Sequence, residues 1–524
     1  MTIRGEVNPP GNDEHLHSAE SDRDADGESE TNEIAARSLG AVLDLSRCDR
    51  LRRYLRRHAM FSALFALVAA IMMLLGALRW RRVLVMSMPF LVIFNGVPLV
   101  LGGVSVRVDQ VAACLLLLPL MASILSGRWR LRMDVTAWWL TAILAMNLVA
   151  SALNSPVRSY SLLQCANLAS VWVIYLVLIN FLATREDVRA FFTRSLWAAV
   201  AAGGMGVGAF LLALAGLNVG GAEVSRSAAE FLTSAYGAFG TMVEPNLFGS
   251  FMGAYFILAI SLLALAPRRP DSAPGRALLR WTAALCAIGL LLSFTRSAWL
   301  GVIATLVAVA LLGRGRFRLR ATRLVVPVSA LLVAVAAIAF LPGDTGTLLR
   351  FKLTNLVNLQ SQTVSARLVT YALALEQTVR HPIVGWGTFT FAPLVAEGSD
   401  FARYEGWRNL WIGNYLLLAL HDTGVIGLVM WIFMLWSMLV HGTRAARELA
   451  ISDPVLGVRT LALTLAVASL LISFLSTSGF SLGFPWLLIG LLGAHARLAE
   501  DAQAAPLPAQ TLAEPLLARS PAAI

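Results

Sequence analysis

Long apolar runs separated by short polar stretches set the frame of this chain. About 20 apolar residues are needed to cross a bilayer as a helix. Runs of roughly that length occur at 60–78, 83–101, 110–126, 135–152, 160–182, 191–216, 245–266, 277–293, 297–312, 324–342, 409–440, 459–478 and 482–496. Between them the arginines are clustered at 79–82, 128–132, 268–280, 314–323 and 444–459. Arg-rich connections mark the cytoplasmic side of a multi-span protein, and 313–323 (GRGRFRLRATR) has five Arg and no acid. The intervening segments 102–109, 153–159, 217–244 and 343–408 then lie outside. Thirteen full crossings would put the Arg-rich stretch 47–57 on the wrong side, so the preferred reading makes 60–78 short or re-entrant. The expected fold class is an all-α polytopic membrane protein of about twelve transmembrane helices (12–13), with one long, partly helical periplasmic loop.

This pattern divides the chain into a disordered acidic, then Arg-rich, cytoplasmic tail (1–58), transmembrane helices (59–342), a periplasmic catalytic loop (343–408), further transmembrane helices (409–496) and a disordered cytoplasmic tail (497–524). Within the loop, Val364, Leu368, Tyr371, Leu375 and Val379 recur at helical spacing. They predict an amphipathic helix over about 362–380, stopped by Pro382 and followed by a Gly385-Trp386-Gly387 turn. Its apolar face (Val364, Leu368, Leu375) is expected to pack on the membrane domain, with Arg367 turned toward a cavity.

Composition excludes a soluble enzyme. Of the 524 residues 57% are hydrophobic and only 14% charged, too few to cover a water-facing surface of that size. The net charge of +11 does not imply a nucleic-acid partner, because the arginines fall in loops between spans. Cys114, Cys165 and Cys286 sit inside apolar runs and read as packing residues. No P-loop, GxGxxG or HExxH motif is present.

What remains is polar residues at span ends, where they are costly in lipid and therefore candidates for function. Arg296 lies in SFTRSAWLG and Arg367 in SARLVTYALALEQTVRHPIVGWG. Each reads either as a surface charge or as a permanently charged fork for phosphate oxygens. Glu244 and Asn246 flank Pro245 at a span entrance, either capping a helix or lining a pocket. Asn414, His421 and Asp422 fall in GNYLLLALHDTGVIGL, either stitching helices together or facing substrate. His381, Arg403 and Glu405 are further polar groups of the long loop.

In this order, EPNLFGS, FTRSAWLG, SARLVTYALALEQTVRHPIVGWG and GNYLLLALHDTGVIGL resemble the motif set of the O-antigen ligase and Wzy-type polymerase superfamily of bacterial envelope glycan assembly, and the likeness spans about residues 85–495. The resemblance implies an inner-membrane glycosyltransferase with a periplasmic active site. Its donor would be an undecaprenyl-diphosphate-linked glycan, its acceptor a glycan or lipid A-core hydroxyl. Membrane lipid, a chain-length regulator and a flippase would be its partners, and neither cofactor nor metal is implied. It casts Arg296, Arg367, His421 and Glu405 as catalytic, and Glu244, Asn246, His381, Arg403 and Asn414 as substrate-binding. The family's His before Asn falls on Gly413, a departure that weakens the ligase reading and favours a polymerase or a family member with another acceptor. A multi-span transporter or flippase of lipid-linked glycan or small anion is the competing reading, and a structural member of an assembly complex a third.

Overall fold

The computed structural model describes residues 80–101, 104–127, 131–215, 219–223, 237–265, 275–312, 362–398 and 411–504, with the isolated positions 217, 340 and 350. The expected tail 1–58, the first apolar run 60–78, the Arg-rich segment 313–323, the run 324–339, residues 505–524, and Arg403 and Glu405 lie outside these residues. Residues 497–504, expected to open a disordered tail, instead continue the last helix, and Arg497 donates to the Ile179 carbonyl.

Thirteen α-helices run through the described residues: α1 (Arg81–Leu91), α2 (Val108–Leu125), α3 (Val135–Leu153), α4 (Arg158–Phe181), α5 (Arg185–Leu214), α6 (Pro245–Leu265), α7 (Arg276–Leu292), α8 (Arg296–Leu312), α9 (Gln362–Arg380), α10 (Phe391–Gly398), α11 (Tyr415–Ser452), α12 (Pro454–Phe474) and α13 (Gly483–Ala504). Seven of them are long and apolar enough to cross a membrane. The only described strands form two small antiparallel hairpins: β1 (Pro98–Leu101) with β2 (Val104–Arg107), and β3 (Ala222–Glu223) with β4 (Gly237–Ala238).

Many helix starts are written in the sequence. Asp134 accepts a hydrogen bond from the Ala137 amide, Thr184 from Asp187, Asn414 from Leu416 and Leu417, and Asp453 from Val455 and Leu456. Each satisfies amides that the first helical turn leaves unpaired. Helices that are apolar on every side belong at the centre. The apolar window of α6 is 94% buried and that of α12 83%, against 39% for α2, α3, α5 and α11. The central pair packs together, with α7 and α8 against α6 and α11 against α12.

Chain direction alternates through this bundle. One end collects Arg82 paired with Asp187, Arg132 with Asp501, and Arg185 with Asp453. The opposite end collects the starts of α6, α8 and α11 and the end of α12.

Two expected boundaries are corrected. The run 83–101 is not one helix: α1 gives way to a 3-10 turn (Val92–Phe94) and then to β1. Buried Asn95 holds this break, bonding the Val92 carbonyl and receiving the Val243 amide. The stretch 441–459 is not a loop either, because α11 runs to Ser452 and α12 starts at Pro454. Ala445, Ala446 and Leu449 continue the buried face of α11, and Asp453 both ends α11 and caps α12.

Candidate active site

The helix expected over 362–380 is α9, but its packing is the reverse of the expectation. Leu368 is 55% exposed, Leu375 50% and Val379 76%, whereas Ala374 and Thr378 are buried. Arg367, Tyr371, Ala374 and Thr378 share the face that meets the bundle, at the three- and four-residue spacing of one helical side. The physical reason is the solvent: beside a bilayer an apolar face can be left to lipid, so the polar face turns inward.

That inward face builds the site. Arg367 donates from Nη1 to Ser476 Oγ in the segment after α12. Tyr371 donates to the Gly413 carbonyl at 3.1 Å, and Thr477 to Glu244 Oε1 at 3.4 Å. Arg296, the first residue of α8, lies close enough to Arg367 for their like charges to repel. Glu244, just ahead of α6, senses the Arg367 charge and is hydrogen-bonded by Asn246. Burial pushes the Glu244 carboxyl above its ordinary range, against the pull of Thr477, Arg367 and Asn246. Burial likewise raises the Tyr371 phenol, with Arg367 opposing. Two arginines 71 positions apart in sequence thus meet at one mouth with a carboxyl and a phenol. Phe294, two residues before Arg296, adopts φ +51°, a costly conformation for a bulky side chain. Among the described residues no three His, Cys, Asp or Glu side chains come together as metal ligands.

The other expected site residues have different work. His421, expected to be catalytic, is fully buried. Its Nδ1 faces Asp422 Oδ1 and its Nε2 the Gln377 side-chain amide, each at 2.9 Å. Gln377 lies ten residues beyond Arg367, about 15 Å along α9. His421 therefore joins α9 to α11. Asn414, expected to bind substrate, commits its side-chain oxygen to the α11 cap. His381 packs edge-on against Trp386, with ring centroids 4.1 Å apart. Gly413 takes the place of a family histidine, and a Cβ there would have Ser476 O and Tyr371 Oη as neighbours at 3.6 and 3.9 Å. Its position is thus beside the Arg367 site.

The glycine motifs hold this assembly. α11 breaks at Gly424 (φ +65°, ψ −167°), and the 382–387 turn closes the break. Trp386 and Gly387 donate to the carbonyls of His421 and Asp422 at 3.0 and 2.9 Å. Pro382 and Ile383 accept from the amides of Val425 and Ile426 at 2.8 and 3.4 Å. A Cβ on Gly424 would collide with the Ile383 carbonyl, and one on Gly385 (φ +78°) with the 422–424 backbone. Only glycine allows both the backbone angles and the approach.

Sequence reasoning missed Ser476 and Thr477, which stand in an ordinary-looking STSG connection. Tyr371 was visible only as one position of a helical stripe.

Residues 281–432 match the family model described as O-antigen ligase. This segment includes Arg296, Arg367 and the α11 break, and it bears out the resemblance read from the sequence. Over these residues the chain is similar to the O-antigen ligase family, which supports a membrane glycan-processing enzyme. No curated protein matches the chain.

Proposed function

We propose that the chain is an inner-membrane glycosyltransferase that moves a glycan from undecaprenyl diphosphate to an acceptor hydroxyl, at a site open to the periplasm. The observation that carries this reading is the meeting of Arg296 and Arg367. Two like charges brought together cost energy unless an anion sits between them. A diphosphate leaving group supplies that anion, and its charge grows as the bond to the sugar breaks. Fixed cations at such a point lower the barrier.

The remaining chemistry falls to Glu244. The acceptor oxygen attacks the anomeric carbon, the bond from that carbon to the phosphate oxygen breaks, and the lipid diphosphate departs with the bonding electrons. The acceptor's proton passes to the Glu244 carboxylate, which burial makes a better proton acceptor than an exposed carboxylate. A single displacement of this kind inverts the anomeric centre. Glu244, first expected to bind substrate, is thereby given the role of base in place of His421 and Glu405.

Gly413 at the family's histidine position favours a polymerase, in which the acceptor is itself a lipid-linked glycan. Deletion of the gene, followed by gel analysis of envelope polysaccharide, tests this. Loss of long chains with short ones retained supports a polymerase. Loss of all attached chains with accumulation of lipid-linked chains supports a ligase instead. An unchanged glycan profile overturns the proposal.

A further inference from the structure

Next to the arginine site lies a second, chemically different cleft of about 70 Å³, walled by α3, α4, α11 and the segments 388–389 and 478–481. Among the described residues its lining contains no arginine or lysine. The single charged residue among them is Asp422, and both its oxygens are occupied, by His421 and by the Phe389 amide. On one wall Thr388 and Asn147 bond to each other at 2.8 Å. On the other, Gln164 Nε2, Tyr415 Oη, Ser478 Oγ and Ser481 Oγ have no protein partner among the described residues. Trp431 and Phe480 pack against each other along one flank, tilted by 44° with ring centroids 5.1 Å apart. Phe389 in the cleft wall holds φ +57°, a strained backbone fixed by its bond to Asp422.

The connection between the two sites is short. Ser476 meets Arg367 and Thr477 meets Glu244, while Ser478 and Ser481 of the same segment line the cleft. Successive Cα atoms are about 3.8 Å apart, so Ser476 and Ser478 are separated by at most about 7 Å.

We infer that this cleft is the subsite for one uncharged sugar ring, the ring joined to the diphosphate that the arginines hold. This inference rests on the proposed transferase reading. Amide and hydroxyl groups that both donate and accept match the vicinal hydroxyls of a sugar, and aromatic side chains cover its C–H face. A water needs about 10–15 Å³ of such space, so the cleft has room for about five waters or the edge of a single ring, not an oligosaccharide. Among the described residues the lining offers a carboxylate and no cation, which suits a neutral ring better than a uronic acid. The arginine mouth and the neutral cleft thus divide one donor between them, charge to the first and hydroxyls to the second.

The test uses the full-length protein in nanodiscs and two probes: undecaprenyl diphosphate, and undecaprenyl diphosphate carrying one neutral N-acetylhexosamine. Gln164→Leu and Ser478→Leu should each weaken binding of the sugar-bearing probe about tenfold, the loss expected for a hydrogen bond inside a closed site. They should leave binding of the sugar-free probe unchanged. Tyr415→Phe, which removes only a hydroxyl, guards against misfolding and should act in the same direction. Arg367→Ala should weaken binding of both probes. If the cleft variants treat the two probes alike while Arg367→Ala weakens both, the cleft is only hydrated and the inference fails with the transferase reading intact. If Arg367→Ala changes neither, the transferase reading itself fails.

Discussion

Replacing Gly424 by Ala tests how the loop is fixed to the bundle. At φ +65° and ψ −167° the residue occupies a backbone region that is essentially glycine's alone, and forcing another residue there costs about 1–3 kcal/mol. The new methyl group would also strike the Ile383 carbonyl. The loop must then withdraw from α11 and give up the four backbone bonds between 382–387 and 421–426. At about 1 kcal/mol net for each, that adds up to about 4 kcal/mol. A loss of about 3 kcal/mol or more is expected, since relaxation recovers part of the total. Thermal unfolding of the detergent-purified protein, followed by tryptophan fluorescence, reads it directly. Protease cleavage near 381–390 should appear in the variant and not in the parent. Val425→Ala is the control: its side chain is 51% exposed, and a shift within about 0.5 kcal/mol is expected. Equal unfolding temperatures for Gly424→Ala and the parent would refute the account of the break.

Three further outcomes follow from the same geometry. Ala374→Asp should destabilise the protein strongly, because it buries an unpaired charge, whereas Leu375→Ala, on the exposed side of α9, should unfold near the parent temperature; the opposite order would restore the packing first expected. Burial raises the Glu244 pKa above its ordinary value, so its stabilising contribution is present below the unfolded pKa and lost as pH rises through the folded one. Glu244→Gln should therefore be as stable as the parent or more so at neutral pH, yet lack transfer activity, and the parent's rate should fall as pH drops through the raised pKa; a Gln variant with full activity removes Glu244 as the base. Single cysteines at 318 and 398 report sidedness: an impermeant thiol reagent on intact cells should label 398 only, and labelling of 318 alone would reverse the orientation.

Much of the fold was legible because helices in a membrane announce themselves by length and apolarity. The caps at Asp134, Thr184, Asn414 and Asp453 obey local chemistry, so a single residue reveals each one. α9 was legible as a helix but not in its orientation. The 3.6-residue stripe shows that two faces differ, and only the surrounding solvent decides which face turns inward. The run 83–101 misled because its break depends on Asn95 reaching Val243, a partner 148 positions away. The arginine pair could be named from motifs, but its companions could not. Ser476 and Thr477 gain meaning only through Arg367 and Glu244, which arrive from other helices. His421 read either as stitching helices or as facing substrate; Gln377, which engages its second ring nitrogen, is a stitching partner that the sequence alone does not place beside it.

The measurement closest to the central claim is the rate of glycan transfer by purified Arg296→Ala and Arg367→Ala proteins, with lipid-diphosphate donor and acceptor supplied in nanodiscs. Each substitution removes a cation from the leaving diphosphate, which typically costs about 3 kcal/mol or more, about a hundredfold in rate. Lysine at either position should restore little, since a point charge does not reproduce the two-pronged guanidinium. Arg380→Ala, at an exposed position, should transfer at close to the parent rate. The account predicts loss of transfer in both alanine variants with protein level and unfolding temperature unchanged. Full transfer by either one would contradict it.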